Sequence, residues 1–462
     1  MLSIRTPCDL PSSEPWSNLL STRERLDRLN ERNPLPEGTL AVGTGLLLNG
    51  FTTYAFLVLA ARALGTEQYA PLSVLWALVF LVGPGLYLPL EQETSRALAD
   101  RMARGLGGGP LVRRAMLLGL GLTLIPLVAT LAANGLILEH LLDDQFMLFV
   151  AFALSLVSFA VVYLARGVLS GMNRFRSYAT YMGAEGTGRL LVCIVLMVLG
   201  VSSPGPFGLA VALTPLVGIA IAMRGQHGLV EPGPESPWSE LSAAILSLLA
   251  GSLLAQLLVN AGPLTVELLA KPSEEAAAGR FLAGVIVARI PLFLFQAVQA
   301  ALLPKLSALA GAGELGEFRN GLGKLLRVVV AIGVIATLGA FAVGPWALRL
   351  FFGPEFDLTR QDLGLLALGS AAYMMSIAMA QALIALSGHL RVASGWLAGI
   401  VGFVVVAALG HELFLRVELG LLAGSALAAL TMGLQLVGQL RRGAIMTRSG
   451  IIEALHDLPM EP

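Results

Sequence analysis

Apolar runs long enough to cross a bilayer recur along nearly the whole chain, and this limits its fold more than any single motif. Twelve can be read: 39–63, 70–90, 111–134, 146–169, 178–200, 205–223, 240–269, 279–304, 323–350, 362–387, 392–413 and 417–440. Each is close to or above the ~20 residues that a helix needs to span ~30 Å of hydrocarbon. Inside a bilayer every backbone polar group must find a partner within the protein, so only helices and closed barrels span it. Barrel strands need only ~10 residues. The pattern therefore predicts an all-α membrane protein with about twelve transmembrane helices. Only 13% of residues are charged, against ~25% in a soluble domain.

The placement of cations sets an expected orientation. Arg189 and Arg289 lie deep inside runs, and Arg62, Lys271, Arg280, Arg349, Arg360 and Arg416 fall at or beyond the run ends on one side. The other 22 of the 30 Lys and Arg residues fall on the opposite side. Basic residues concentrate in cytoplasmic segments, so this bias predicts an inner-membrane protein with both termini in the cytoplasm. Net charge is zero, which speaks against a nucleic-acid partner. Cys8 and Cys193 cannot form a disulfide framework, and the five histidines show no metal-type spacing. No metal site or cofactor is expected. The run GLGGGP (Gly105–Pro110) lacks the following Gly-Lys-Ser/Thr of a phosphate loop and reads as a flexible turn.

The Gly- and Pro-rich stretch 224–239 falls between the sixth and seventh runs and reads as a cytosolic linker. The expected organisation is a polar tail (1–38), an N-lobe (39–223), the linker, a C-lobe (240–440) and a second tail (441–462). The fourth run ends LSGMNRF (Leu169–Phe175) and the tenth ends LSGHLRV (Leu386–Val392). The first and seventh runs hold Asn49 and Asn260. These matches suggest two six-helix lobes related by a parallel pseudo-repeat, an arrangement that places a binding site between the halves near the bilayer midplane.

Polar groups inside the runs are the candidate site. Arg289 lies ~15 Å into the eighth run, where an arginine costs at least ~2.5–3.5 kcal/mol on insertion scales. Such a residue faces a partner or a hydrated cavity, so Arg289 is expected either to meet an anionic part of a cargo or to pair with a carboxylate or a helix end. Glu185 and Arg189 are four residues apart on one face of the fifth run. They are read as an internal ion pair or as a proton or cation relay, and Glu185 also competes as a partner for Arg289. Asn49, Gln256, Asn260, Gln296, Gln299 and Gln381 can bond sugar hydroxyls or join helices. Pro84, Pro89, Pro263 and Pro291 offer hinges. Glu91 and Glu93, at the cytosolic end of the second run, are expected at a gate, at headgroup level or on a solvated helix end.

The stretch from Leu46 to Arg101, with Ala61-Arg62-Ala63-Leu64-Gly65 and Tyr69, resembles the start of polysaccharide flippases in the multidrug/oligosaccharidyl-lipid/polysaccharide exporter superfamily. The stretch 257–307, ending Leu303-Pro304-Lys305-Leu306-Ser307, is similar to their seventh and eighth spans, and the LSG turn after the fourth run also fits. The resemblance covers about 40–450 and implies a V-shaped bundle of two lobes. It implies alternating-access transport of a lipid-linked oligosaccharide or polysaccharide precursor. Arg289, Arg189 and the six amides would then meet the cargo, and Glu185, Glu91 and Glu93 would serve coupling or gating. Implied partners are the lipid-linked saccharide, membrane lipids, H+ or Na+ as coupling ion, and a polysaccharide polymerase or glycosyltransferase. The alternatives are a multidrug or cation antiporter of the same superfamily, a membrane glycosyltransferase using Asp143 and Asp144, and a polysaccharide-assembly scaffold.

Overall fold

The structure, a computed structural model, describes residues 39–241, 245–271, 274, 276–292, 295, 309, 314–386 and 388–441. Twelve α-helices account for most of these: α1 Thr39–Ala103, α2 Gly109–Ala132, α3 Asn134–Leu141, α4 Phe146–Gly171, α5 Phe175–Val198, α6 Pro204–Met223, α7 Ile245–Leu269, α8 Ala277–Ala288, α9 Leu315–Phe352, α10 Arg360–Ala385, α11 His389–Leu409 and α12 Leu413–Arg441. Among the described residues ten helices are long and apolar enough to cross a membrane, and none of the regular structure is β. The expectations for the tails, for Gln296 and Gln299 and for the Leu303–Ser307 motif lie outside the described residues.

α1 holds two crossings. Its 65 residues would extend ~100 Å if straight, yet Phe56 stacks on Trp76 with ring centroids 6.0 Å apart. Twenty residues of continuous helix would separate them by ~30 Å, so the chain folds back between them. The reversal is at Gly65, whose φ of 71° and ψ of 175° belong to a region open in practice only to glycine. The two arms, 39–64 and 66–103, correspond to the first two apolar runs. α3 is a short helix that the apolar pattern had merged into a loop.

α1 packs on α4 and α5, and α4 and α5 pack on α6; α10, α11 and α12 pack together, with α9 against α10 and α7 against α11 and α12. α1 also packs along α7 and α8, so it joins the two halves of the chain. Small residues permit this. A Cβ at Gly279 would meet the Ala70 backbone at 3.1 Å, one at Gly85 would meet Leu253 at 2.9 Å, and Ser252 Oγ donates to the Pro84 carbonyl at 3.0 Å. Close backbone approach of this kind is how helices associate where no hydrophobic force separates protein from solvent. Large apolar side chains such as Phe51, Ile125, Val198, Ile335 and Leu409 lie exposed along the bundle, as lipid-facing positions would.

The segment after α6, read above as a linker, is docked on the first half of the chain. Arg101, 1% exposed, pairs with Glu240 at 2.8 Å and donates to the carbonyls of Pro234 (2.7 Å) and Gly107 (3.1 Å). Ser236 Oγ donates to Glu240 Oε2 at 2.5 Å, and the Gly109 N–H donates to the Glu231 carbonyl at 2.8 Å. The GLGGGP turn is thereby held as well: a Cβ at Gly107 would overlap the Pro232 backbone. The glycines serve close packing rather than flexibility.

Candidate functional site

Two neighbouring cavities collect most of the predicted polar residues. The first lies within the first half of the chain, between the arms of α1, α4 and α5. It has a volume of about 220 Å³, and its polar lining includes Asn49, Thr53, Tyr163, Arg166, Glu185 and Arg189. The second lies between the halves, among α1, α7 and α8. It has a volume of about 210 Å³ and is lined by Thr53, Tyr54, Trp76, Gln256, Asn260 and Arg289, with apolar side chains between them. Thr53 and Phe80 line both.

In the first cavity a closed polar ring forms from residues of two helices. Arg189 Nη2 donates to Thr53 Oγ1 (2.7 Å), and Thr53 Oγ1 donates to Asn49 Oδ1 (3.1 Å). Asn49 Nδ2 donates to Glu185 Oε2 (3.2 Å) and to the Met182 carbonyl (3.0 Å). Glu185 closes the ring by pairing with Arg189 at 3.5 Å. Arg189 is 1% exposed and its guanidinium also stands over the rings of Trp76 (5.5 Å) and Phe56 (5.8 Å). The approach of α5 to α1 rests on Gly186, where a Cβ would meet the Asn49 Cα at 3.0 Å. Glu185 pairs with Arg189 and not with Arg289, which resolves the competition left open by the sequence.

Beside this ring sits a group that the apolar pattern missed. Arg166, counted above only among the cations at one side of the runs, lies within α4 and pairs with Glu91 at 3.0 Å. Its guanidinium bonds the Tyr178 hydroxyl (2.7 Å), which in turn donates to Glu91 Oε1 (2.9 Å). The rings of Tyr163, Tyr178 and Tyr181 surround it at 4.5, 5.3 and 5.7 Å. Glu91 is 7% exposed, so it stands inside the first half and not on a solvated helix end. Glu93 is also buried and pairs with Arg96. One signal was available in the sequence. Tyr163 with Tyr181, and Arg166 with Tyr178, are each symmetric about the turn at Met172, so an α4–α5 hairpin brings them level.

In the cavity between the halves, Arg289 does not continue a helix. α8 ends at Ala288 with Arg289 as its C-terminal cap, two residues before Pro291. Proline has no N–H to donate and its ring crowds the carbonyl four residues back, so the helix breaks there. The guanidinium donates to the Val259 carbonyl on α7 and shares cavity walls with Tyr54 and Tyr373, one from each half of the chain. Asn260 Nδ2 donates to the Gln256 carbonyl (3.0 Å) and to Gln256 Oε1 (3.3 Å), one turn apart on α7. No aspartate or glutamate lines this cavity. Gln381 lies half-buried in α10 and lines neither cavity. Among the described residues no cluster of three or more His, Cys, Asp and Glu is arranged to hold a metal ion.

No family model matches the chain. It is 27% identical over 409 residues to uncharacterized proteins of Mycobacterium bovis and Mycobacterium tuberculosis, covering 84% of this chain and 90% of theirs. A second uncharacterized Mycobacterium tuberculosis protein is 24% identical over 405 residues, covering 85% of this chain and 90% of its own length. Among solved structures, an inward-facing multidrug resistance MATE family transporter of the MOP superfamily superposes with a TM-score of 0.71 at 15% identity, covering 89% of this chain and 100% of that one. An outward-facing structure of a MATE family transporter of the same superfamily gives 0.65 at 15% identity, covering 88% and 96%. A mutant Vibrio cholerae MATE transporter gives 0.65 at 17% identity, covering 88% and 97%. These likenesses establish a MATE-like transporter fold; the similar structures are transporters and not enzymes.

Proposed function

We propose that this chain is a membrane transporter that moves a cargo with an anionic head by alternating access, a lipid-linked oligosaccharide or polysaccharide precursor being the cargo class it fits best. The observation that carries this reading is the charge of the cavity between the halves. Arg289 faces it and no carboxylate does. Its remaining polar groups, Gln256, Asn260, Thr53 and Tyr54, bond neutral hydroxyls readily. A guanidinium in a site of low dielectric favours a phosphate or carboxylate, and it opposes a cation. In this reading the saccharide head occupies the cavity while a lipid tail stays against the exposed apolar flanks. Arg189 and Glu185 neutralise each other in the first half and act through the ring that reaches Thr53, on the wall shared by the two cavities.

The multidrug resistance names of similar folds make a cationic-drug exporter the competing reading. Its one structural support is the aromatic first cavity with Glu185 in its lining. The two part on cargo charge. The test is to reconstitute the purified protein in liposomes and compare flipping of a fluorescent lipid-pyrophosphate saccharide with efflux of a cationic dye. Movement of the anionic lipid alone supports the proposal. Efflux of the dye without movement of the lipid overturns it.

A further inference from the structure

A third polar cavity lies away from both of these, where the loops of the arginine-poor end meet in the second half of the chain. It has a volume of about 580 Å³. Lys271, Arg280 and Arg416 line it, three of only six cations at or beyond the run ends on that side. Arg62 and Arg349 are otherwise engaged, on the carbonyls of Leu350 and Phe351 and on Asp357 respectively.

Arg280 and Arg416 stand where an unassisted cation is disfavoured. Each is the fourth residue of its helix, α8 and α12. The N-terminus of a helix carries the positive end of the backbone dipole and its unbonded N–H groups, which attract anions and repel cations. The start of α10 also borders the cavity through its N-cap Thr359, but its own capping box with Asp362 occupies it. Two helix N-termini, of α8 and α12, and three cations therefore converge on one polar space. The Nε atoms of Arg280 and Arg416 are both buried with no hydrogen-bond partner. Among the described residues, neither arginine nor Lys271 forms an ion pair.

The acids lining the cavity, Glu274, Asp362 and Glu412, equal the cations in number but form no ion pair with them among the described residues. Glu274 Oε2 accepts the Lys271 backbone N–H (3.1 Å), and Asp362 Oδ2 accepts the Thr359 backbone N–H (2.8 Å). Glu412 is exposed at the rim. The close turn before α12 fixes Arg416: Gly410 packs directly on its stem, where a Cβ would overlap it.

We infer that this cavity is an anion site for a phosphate group, held by Arg280 and Arg416 at the starts of α8 and α12. The inference goes beyond the proposed transport role, since no residue of the cavity between the halves takes part. Two sources share the chemistry: the headgroup of an anionic lipid in the adjacent leaflet, and a soluble or cargo-borne phosphate.

The test uses the purified full-length protein in phosphatidylcholine nanodiscs, with inorganic pyrophosphate binding measured by calorimetry. The wild type binds, and Arg280→Gln/Arg416→Gln binds about tenfold more weakly or less, as expected for lost charge-assisted bonds. Arg280→Lys/Arg416→Lys keeps part of the affinity, which separates binding from folding. Glu412→Gln tightens it, while Arg349→Gln leaves it unchanged. Phosphatidylglycerol in the nanodisc competes with pyrophosphate if the site takes lipid headgroups; without competition, the occupant is a soluble or cargo phosphate. Equal binding by the wild type and the double Gln variant, or no binding of either pyrophosphate or phosphatidylglycerol by the wild type, overturns the inference.

Discussion

Removing one member of the ring between α1 and α5 should harm the protein more than removing both charges. Arg189 and Glu185 are 3.5 Å apart. At an effective dielectric of 20 that separation corresponds to about 5 kcal/mol of attraction. Arg189→Met leaves Glu185 with neutral donors such as Asn49, and Glu185→Gln leaves Arg189, 1% exposed, without a counter-charge. Each single variant should lose ~3–5 kcal/mol, the usual cost of orphaning a buried charge. The pair Glu185→Gln/Arg189→Met removes the uncompensated charge and should lose much less than the sum. The assay is a double-mutant cycle on the thermal stability of monodisperse protein in detergent. Additive losses, or a double variant less stable than either single one, would refute the account of these residues as a mutually neutralising pair.

Further expectations follow from other contacts. Arg62→Ala frees the carbonyls of Leu350 and Phe351, beside the Tyr69–Phe356 contact at 5.7 Å. Spin labels at Glu67 and Glu355 should then move apart, with the open population rising about tenfold for each ~1.4 kcal/mol lost; an unchanged distance distribution speaks against Arg62 as a latch. Gly65→Ala forces a side chain into a backbone region that costs ~1–3 kcal/mol, and should lower thermal stability, whereas Gly43→Ala, with open space around it, should not. Arg101→Ala should speed proteolysis across 225–240, because it removes the ion pair to Glu240 and the bond to the Pro234 carbonyl that hold this segment. Burial alone would raise the Glu240 carboxyl, but Ser236 and Arg101 outweigh it and hold the group below its ordinary value. A depressed value means the contribution is present above the ordinary carboxylate range and lost as pH falls through the lowered one. Proteolysis of this segment by an acid-active protease should therefore accelerate only at strongly acidic pH, and acceleration near neutrality would contradict the clamp.

The membrane class, most run positions and the pairing of Glu185 with Arg189 were legible because they rest on local rules: length against bilayer thickness, and four-residue spacing on one helix face. Gln256 and Asn260 were legible for the same reason. The two arms of α1 were read as separate runs, and Gly65 explains how they stay one hairpin. What was not legible depends on long-range packing. Arg166 looks like a run-end cation until the turn into α5 brings Tyr178, and the packing of α1 brings Glu91, beside it. Glu91 looks like a helix-end acid until that same arginine reaches it. The 224–239 segment has the composition of a linker, and only the buried Arg101 reveals a docked strap. The LSG matches also differ in place: Gly171 is the last residue of α4, whereas Gly388 is the N-cap of α11. Sequence likeness there does not mark structurally equivalent positions.

The central claim is that Arg289 recognises an anionic cargo head from the wall of the cavity between the halves. The most direct measurement is the initial rate of lipid-pyrophosphate saccharide flipping in liposomes by wild type, Arg289→Lys and Arg289→Ala, at matched reconstitution. A charge-assisted bond of ~1.5–3 kcal/mol predicts a loss of about tenfold to a hundredfold in Arg289→Ala and partial activity in Arg289→Lys. An Arg289→Ala protein that flips the lipid at the wild-type rate would contradict the account.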